Sequence, residues 1–256
     1  MAEKPASTPG EWRADKRASI DEVFAGAKRG ATTAHESPSG RYRLDVVSWS
    51  PSSGWAYTEG VVRAGTASEP ISTVRRNYLA FPFTWCEDHP NGHDYLLCGE
   101  DYQGQTIIEL DTGRRVDHIA AQAEQGFGFC WAKHHLAPKK NILVVGGCYW
   151  ACPYELVAFD FSQPLALPYA ELHPWSGDLA EVDGFDSHGT LTWTFEREVR
   201  LSDGKPYNDL TESEEAELLD DDGAYLPGLL GVVSYRASWS ADQPFESTVV
   251  VLTATD

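Results

Sequence analysis

The feature that most constrains the fold of this chain is a pattern that occurs twice. The first copy begins with Phe81-Pro-Phe83-Thr-Trp85 and the second with Phe127-Gly-Phe129-Cys-Trp131. Each is followed by a polar loop with a proline and by two strand-like runs, which are Tyr95–Gly99 and Thr106–Leu110, then Ile142–Gly146 and Tyr154–Phe161. Repeats of this size are units that bury a core by stacking on their neighbours, so the pattern indicates an array of small β-sheets.

Further strands are predicted from hydrophobic patterning on either side of the repeat. Tyr42, Leu44 and Val46 alternate with charged residues, which is typical of a half-buried strand. The continuous apolar run Val249–Leu252 predicts a central, buried strand. Strand candidates separated by turn residues recur with a spacing of about 50 residues, which is typical of blade-like arrays.

Two features carry a resemblance to a known class of repeat proteins. A tryptophan precedes a polar loop with proline at Trp49, Trp85, Trp131 and Trp239, and Tyr95–Gly113 consists of strand, turn, strand and a closing Asp-Thr-Gly. Residues 76–165 thereby resemble β-propeller repeat proteins. The resemblance implies an all-β, mainly antiparallel, propeller-like array of blade-like repeats. A β-sandwich with long loops is the alternative, because the Trp-Asp and double-Gly signatures of the best-known propellers are missing.

Two helices are expected outside the repeat. Residues 1–36 are predicted to be a disordered lead-in followed by a short helix, Ser19–Arg29, with Ser19 and Glu22 as its capping box. Its apolar face predicts docking on the main body through Ile20, Val23, Phe24 and Ala27. Residues 37–256 are predicted to be one β-rich domain with an acidic surface insertion at about 205–228, which contains a second capped helix, Thr211–Leu219.

Charge and cysteine content limit the classes of partner. The net charge of −19 disfavours nucleic acids and anionic membranes, because both are bound mainly through Lys and Arg. It favours a basic protein partner. No apolar signal region starts the chain, and the five cysteines are an odd number, so we expect reduced thiols and a cytoplasmic location.

The predicted function is non-catalytic binding through loops on one face of the array. Loops carried by rigid sheets concentrate binding residues. The first predicted loop contributes Glu100, Asp101, Tyr102 and Gln103. The second contributes Cys148, Tyr149, Trp150 and Cys152, with Trp150 as the aromatic anchor.

Two further functions remain open from the sequence. One is a hydrolase, either with Zn²⁺ on Cys86, His89 and His93 or with His134-His135 activating Cys130 or Cys148. No cofactor is expected apart from this zinc. The other is saccharide binding through exposed aromatic side chains.

Overall fold

Four sequential sheets make up most of the computed structural model, which describes residues 9–125, 128–149, 153–175, 177–220, 222–245 and 247–254. Each sheet is a meander of four consecutive strands. The strands of the first two sheets are β1 (Lys28–Glu36), β2 (Tyr42–Ser50), β3 (Tyr57–Ala64) and β4 (Ser72–Arg76), then β5 (Thr84–Cys86), β6 (Tyr95–Cys98), β7 (Gly104–Glu109) and β8 (Arg115–Ile119).

The third and fourth sheets follow the same plan. Their strands are β9 (Phe129–Leu136), β10 (Ile142–Tyr149), β11 (Glu155–Asp160) and β12 (Glu171–Trp175), then β13 (Asp178–Phe185), β14 (Thr190–Arg200), β15 (Leu230–Ser240) and β16 (Thr248–Ala254). A four-stranded antiparallel meander is the unit of a propeller blade. The all-β, propeller-like prediction is therefore confirmed, and four separate sheets do not fit the two sheets of the sandwich alternative.

The repeated pattern marks the start of two of these sheets. Trp85 lies in β5 and Trp131 in β9, the first strands of the second and third sheets. The other two tryptophans are not equivalent to them, because Trp49 lies in the second strand of its sheet and Trp239 in the third. A tryptophan before a proline-containing loop marks a turn, and each meander has three turns, so this feature alone could not fix the position within a blade.

The second sheet is buried on both faces. Leu96, Cys98 and Ile108 pack with residues of the first sheet around Leu44. The alternate positions of the same strands face a second core that includes Trp131 and Leu143 of the third sheet, through Tyr95, Leu97 and Ile107. Since side chains alternate between the two faces of a strand and both faces are covered, every residue of β6 and β7 is buried.

The N-terminal helix, α1, is longer than predicted and covers Pro9–Gly26. The predicted start at Ser19 was wrong, and the described residues from Pro9 are helical, with the proline in the first turn where its missing N–H costs nothing. Lys28 and Arg29 belong to β1 rather than to the helix. No helix within the described ranges is long and apolar enough to cross a membrane.

The chain divides into two compact units, in contrast to the single β-rich domain predicted for 37–256. One unit comprises Met1–Cys152 and Val157–Leu172, and the other comprises Pro153–Leu156 and His173–Asp256. The second unit has a core of its own, in which Trp175 lies 5.2 Å from Trp193 and 5.3 Å from Trp239 between ring centroids. Patterning revealed its strands but could not show that these rings form a separate core.

Two predictions within the second unit had different outcomes. The acidic insertion contains helix α2 (Glu212–Ala216), and the predicted capping box of Thr211 and Glu214 is confirmed. The prediction of a central, buried strand at Val249–Leu252 was wrong. This run lies in β16 at the edge of its sheet, where Val250 and Val251 are 58% and 59% exposed.

Candidate functional site: an acidic groove occupied by α1

The predicted loop Glu100–Gln103 connects β6 to β7 and has a fixed backbone. Asp101 Oδ1 accepts a hydrogen bond from the backbone N–H of Gln103 at 2.8 Å. Arg76 donates to the carbonyl oxygens of Gly99 and Asp101 at 2.8 and 2.7 Å. A Cβ at position 99 would lie 2.2 Å from the carbonyl oxygen of Gly104, so the tight turn needs glycine there. The loop is therefore a rigid platform for its carboxylates.

The loop carboxylates are buried, and α1 covers them. Glu100 is 5% exposed and Asp101 0%. Glu100 accepts from the Nε atoms of Arg13 and Arg17, at 2.9 Å on Oε1 and 2.8 Å on Oε2. Lys16 Nζ lies 2.7 Å from Asp101 Oδ2. Three cationic side chains of one helix thus contact a loop that was predicted to meet a basic partner.

Asp117 of β8 completes the acidic cluster, and sequence reasoning missed it. Its Oδ2 accepts from Arg17 Nη2 at 2.7 Å, and its Oδ1 accepts from Thr106 at 2.7 Å. Burial alone would raise the pKa of Asp117, but the charge of Arg115 and the bond from Thr106 outweigh it and hold the pKa below its ordinary value of 3.8. Asp117 is therefore ionised at neutral pH. We call the surface formed by Glu100, Asp101 and Asp117 the acidic groove.

The second half of α1 is held by apolar contacts on the first sheet. Ile20 and Phe24 of the predicted docking face are 5% and 6% exposed, whereas Ala27 of that face lies beyond the end of α1. The ring of Phe24 lies 5.4 Å from that of Trp49 and 5.9 Å from that of Tyr57. The guanidinium of Arg75 lies over Phe24 at 5.0 Å from the ring centroid. Helix α1 therefore combines ion pairs at one end with aromatic packing at the other.

A cavity of about 690 Å³ lies beside the contact between α1 and the groove. Its walls carry charges of both signs, from Glu100, Asp117 and Asp21 and from three arginines. Arg75 bridges Asp21 of α1 and Glu59 of β3 at 2.8 and 3.0 Å. The helix is thus not flush against the sheets along its whole length, and solvent reaches the edge of the ion-pair network.

The second predicted loop is only partly described, since Trp150 and Cys152 lie outside the described residues. Tyr149 is 39% exposed and packs on Phe129, with ring centroids 5.0 Å apart. Cys148 pairs in register with Cys130 on the adjacent strand. Burial, then Cys148 and the charge of Asp101, raise the pKa of the Cys130 thiol to about 12. Cys130 therefore lies within electrostatic range of both predicted loops.

Of the predicted catalytic residues, Cys130 and His134 are not activated. Burial raises the pKa of the Cys86 and Cys98 thiols to about 12, as it does for Cys130, so each thiol is protonated at neutral pH. Burial and the charges of His135 and Arg76 lower the pKa of His134 to about 3. His134 Nδ1 lies 3.3 Å from the hydroxyl of Thr84. A nucleophilic cysteine needs a depressed thiol pKa, which these residues do not have.

The predicted zinc ligands are not brought together as a ligand set. Cys86 is fully buried, and His89 Nε2 lies 3.1 Å from the carbonyl oxygen of Phe161. His93 faces Asp111, with Nδ1 and Oδ2 3.5 Å apart. Among the residues that the structure describes, no group of three or more His, Cys, Asp or Glu side chains is arranged to hold a metal ion.

Comparisons with known proteins add a relative and a structural neighbour. The chain matches no protein-family model. It is 36% identical over 129 residues to uncharacterized protein R762 of Acanthamoeba polyphaga mimivirus, and the match covers 50% of each chain. The chain therefore spans about half the length of this curated relative. The β-propeller domain of Cps50 (Swd1) from Myceliophteria thermophila is similar with 10% identity and a TM-score of 0.41, over 75% of this chain and 54% of that one.

Proposed function

We propose that this protein is a non-catalytic binding module whose acidic groove recognises a basic segment of a partner protein. One observation carries the proposal: three buried or nearly buried carboxylates converge where they bind Arg and Lys side chains of a single helix. Carboxylates accept bidentate and paired bonds from guanidinium groups, so the groove is chemically suited to arginine.

The rigidity of the groove supports a binding role. The backbone of the Glu100–Gln103 loop is held by Arg76 and by Asp101 itself, so little conformational freedom is lost when a ligand binds. The net charge of −19 would also speed the approach of a basic partner, and this contribution falls as salt rises.

The experiment measures binding of a labelled, end-capped peptide with the sequence of residues 9–26 to the full-length chain by fluorescence anisotropy. The peptide carries Arg13, Lys16 and Arg17, the three cationic residues whose contacts with the groove are known. We expect the wild type to bind the peptide at high peptide concentration. We also expect binding by R13A/R17A, in which the contact between α1 and the groove is weakened. When E100Q/D117N is combined with R13A/R17A, so that α1 no longer pairs with these carboxylates, the peptide should bind at least about tenfold more weakly than to R13A/R17A alone.

The matched control is D203N/E214Q, which removes two carboxylates that pair with Arg200 in the other unit. It changes the net charge by the same amount as E100Q/D117N and should leave binding unchanged. The same weakening by D203N/E214Q would mean that the loss is not specific to the acidic groove. No binding by either the wild type or R13A/R17A would refute the proposed function.

A further inference from the structure

Four of the residues by which α1 contacts the rest of its unit form one helical stripe. Arg13, Arg17, Ile20 and Phe24 are spaced i, i+4, i+7 and i+11, which places them on the same face of a helix. The two arginines contact Glu100 and Asp117, and the two apolar residues are buried against the first sheet. Anchors at these spacings are the usual signature of a helix bound in a groove.

We infer that the acidic groove and the adjoining aromatic surface form a receptor for an amphipathic helix of another protein, and that α1 is its intramolecular stand-in. This inference rests on the proposed function. The expected partner helix presents two arginines one turn apart, followed by two large apolar residues at the spacings of Ile20 and Phe24. While α1 occupies the groove, the module is closed to that partner.

The charges that remain in the acidic groove when α1 is released explain why the groove needs a basic occupant. Arg115 then remains in contact with both Glu100 and Asp117, at 3.2 and 2.9 Å. Asp101 keeps a hydrogen bond from the side-chain amide of Asn77 at 2.9 Å. Arg115 contacts only two of the three neighbouring carboxylates, so like charges are left close together and a basic occupant lowers their repulsion. A partner that replaces the cations of α1 restores the balance.

The polar half of α1 is the half that can be released. The side chains of Arg13, Lys16 and Arg17 are 22%, 23% and 44% exposed, so salt and competing ligands reach them. The cavity beside Arg17 and Glu100 gives the same access. Ile20 and Phe24 are buried, and they keep the second half of the helix in place until an equivalent apolar pair displaces it.

The test compares the affinity of the residue 9–26 peptide for the wild-type chain and for R13A/R17A. Release of the helix should raise the apparent affinity at least about tenfold, because the fraction of molecules with an open groove rises. The control variant R200A/K205A makes the same change in net charge at an ion-pair cluster of the other unit and should match the wild type. A control peptide with Arg13→Gln and Arg17→Gln should not bind to any of them.

Hydrogen exchange in the wild-type chain provides a second readout. Excess peptide should speed amide exchange in residues 9–26, since the bound peptide takes the place of α1. Equal affinities for wild type and R13A/R17A, with binding still weakened when E100Q/D117N is combined with R13A/R17A, would overturn the stand-in inference and leave the proposed function intact. Absence of binding to both proteins would overturn both.

Discussion

The contact between Arg13 and Glu100 tests whether burial gives the α1 ion pairs their strength. The perturbation is a double-mutant cycle of Arg13→Gln, which shortens the side chain and removes its charge, and Glu100→Gln, which keeps the shape and removes the charge. The assay is the opening free energy of residues 9–26, measured by hydrogen exchange in the wild type, both single variants and the double variant. The coupling energy is the effect of the double variant minus the sum of the effects of the two single variants.

The structure sets the expected size of this coupling. Glu100 is 7% exposed at its side chain and Arg13 is 22% exposed, and their atoms lie 2.9 Å apart. A hydrogen bond to a charged group contributes about 1.5–3 kcal/mol, and partial exposure of Arg13 reduces this, so we expect about 1–2 kcal/mol. Removing the Glu100 charge also affects Arg17 and Arg115, but the cycle isolates the Arg13 pair.

The control cycle uses Arg236 and Asp183 in the other unit, and its readout is the opening free energy of β13 and β15 by hydrogen exchange. Their atoms are closer, at 2.6 Å, but the side chains are 52% and 45% exposed. Exposed pairs contribute about 0–1 kcal/mol, so we expect a smaller coupling despite the shorter distance. A control coupling as large as that of Arg13 and Glu100 would refute the claim that burial strengthens the contact of α1 with the groove.

Three further predictions concern stability and reactivity. Leu97→Ala should cost about 2–5 kcal/mol in urea unfolding of its unit, because Leu97 is fully buried, whereas Val250→Ala at an exposed position should stay within about 0.5 kcal/mol. Because burial lowers the pKa of His134, this residue takes up a proton below about pH 6.5 in the unfolded chain but stays neutral in the folded chain. The free energy of unfolding should therefore fall from pH 7 to pH 4, and it should fall less in H134Q. Equal pH dependence in the wild type and H134Q would contradict this. Cys86 and Cys98 should resist iodoacetamide at pH 7.5 until the protein is unfolded, and fast alkylation of the folded chain would show that burial does not hold their thiols protonated.

The parts of the fold that sequence could predict are those set by local pattern. The spacing of Trp85 and Trp131 identified two equivalent first strands, and the Thr211 capping box identified α2. The burial of Val249–Val251 could not be predicted, because an apolar run does not show whether its strand is central or at an edge. Whether a strand lies at the edge of a sheet depends on its pairing with strands that are distant in the sequence, and the spacing of apolar residues does not show this pairing.

The candidate site shows the same limit. The loop Glu100–Gln103 stood out by composition, and its carboxylates do bind cations. Arg13, however, lies 87 positions from Glu100 in the sequence, and no local rule links them. The spacing of Arg13, Arg17, Ile20 and Phe24 was a usable signal for a longer docked helix, and the capping box at Ser19 obscured it. Asp117 gave no signal, since a single acidic residue in a short strand is common.

The short connection between α1 and the first sheet determines how the module would respond to the concentration of a partner. Helix α1 ends at Gly26 and β1 begins at Lys28, so Ala27 is the whole linker. A tether this short keeps α1 at an effective concentration of the order of millimolar or higher at its own groove. A partner helix with equal contacts, present at about 1 μM, would occupy only about a thousandth of the grooves. A physiological partner therefore needs additional contacts outside the groove, or a preceding event that weakens α1, because α1 raises the partner concentration at which half of the grooves are occupied.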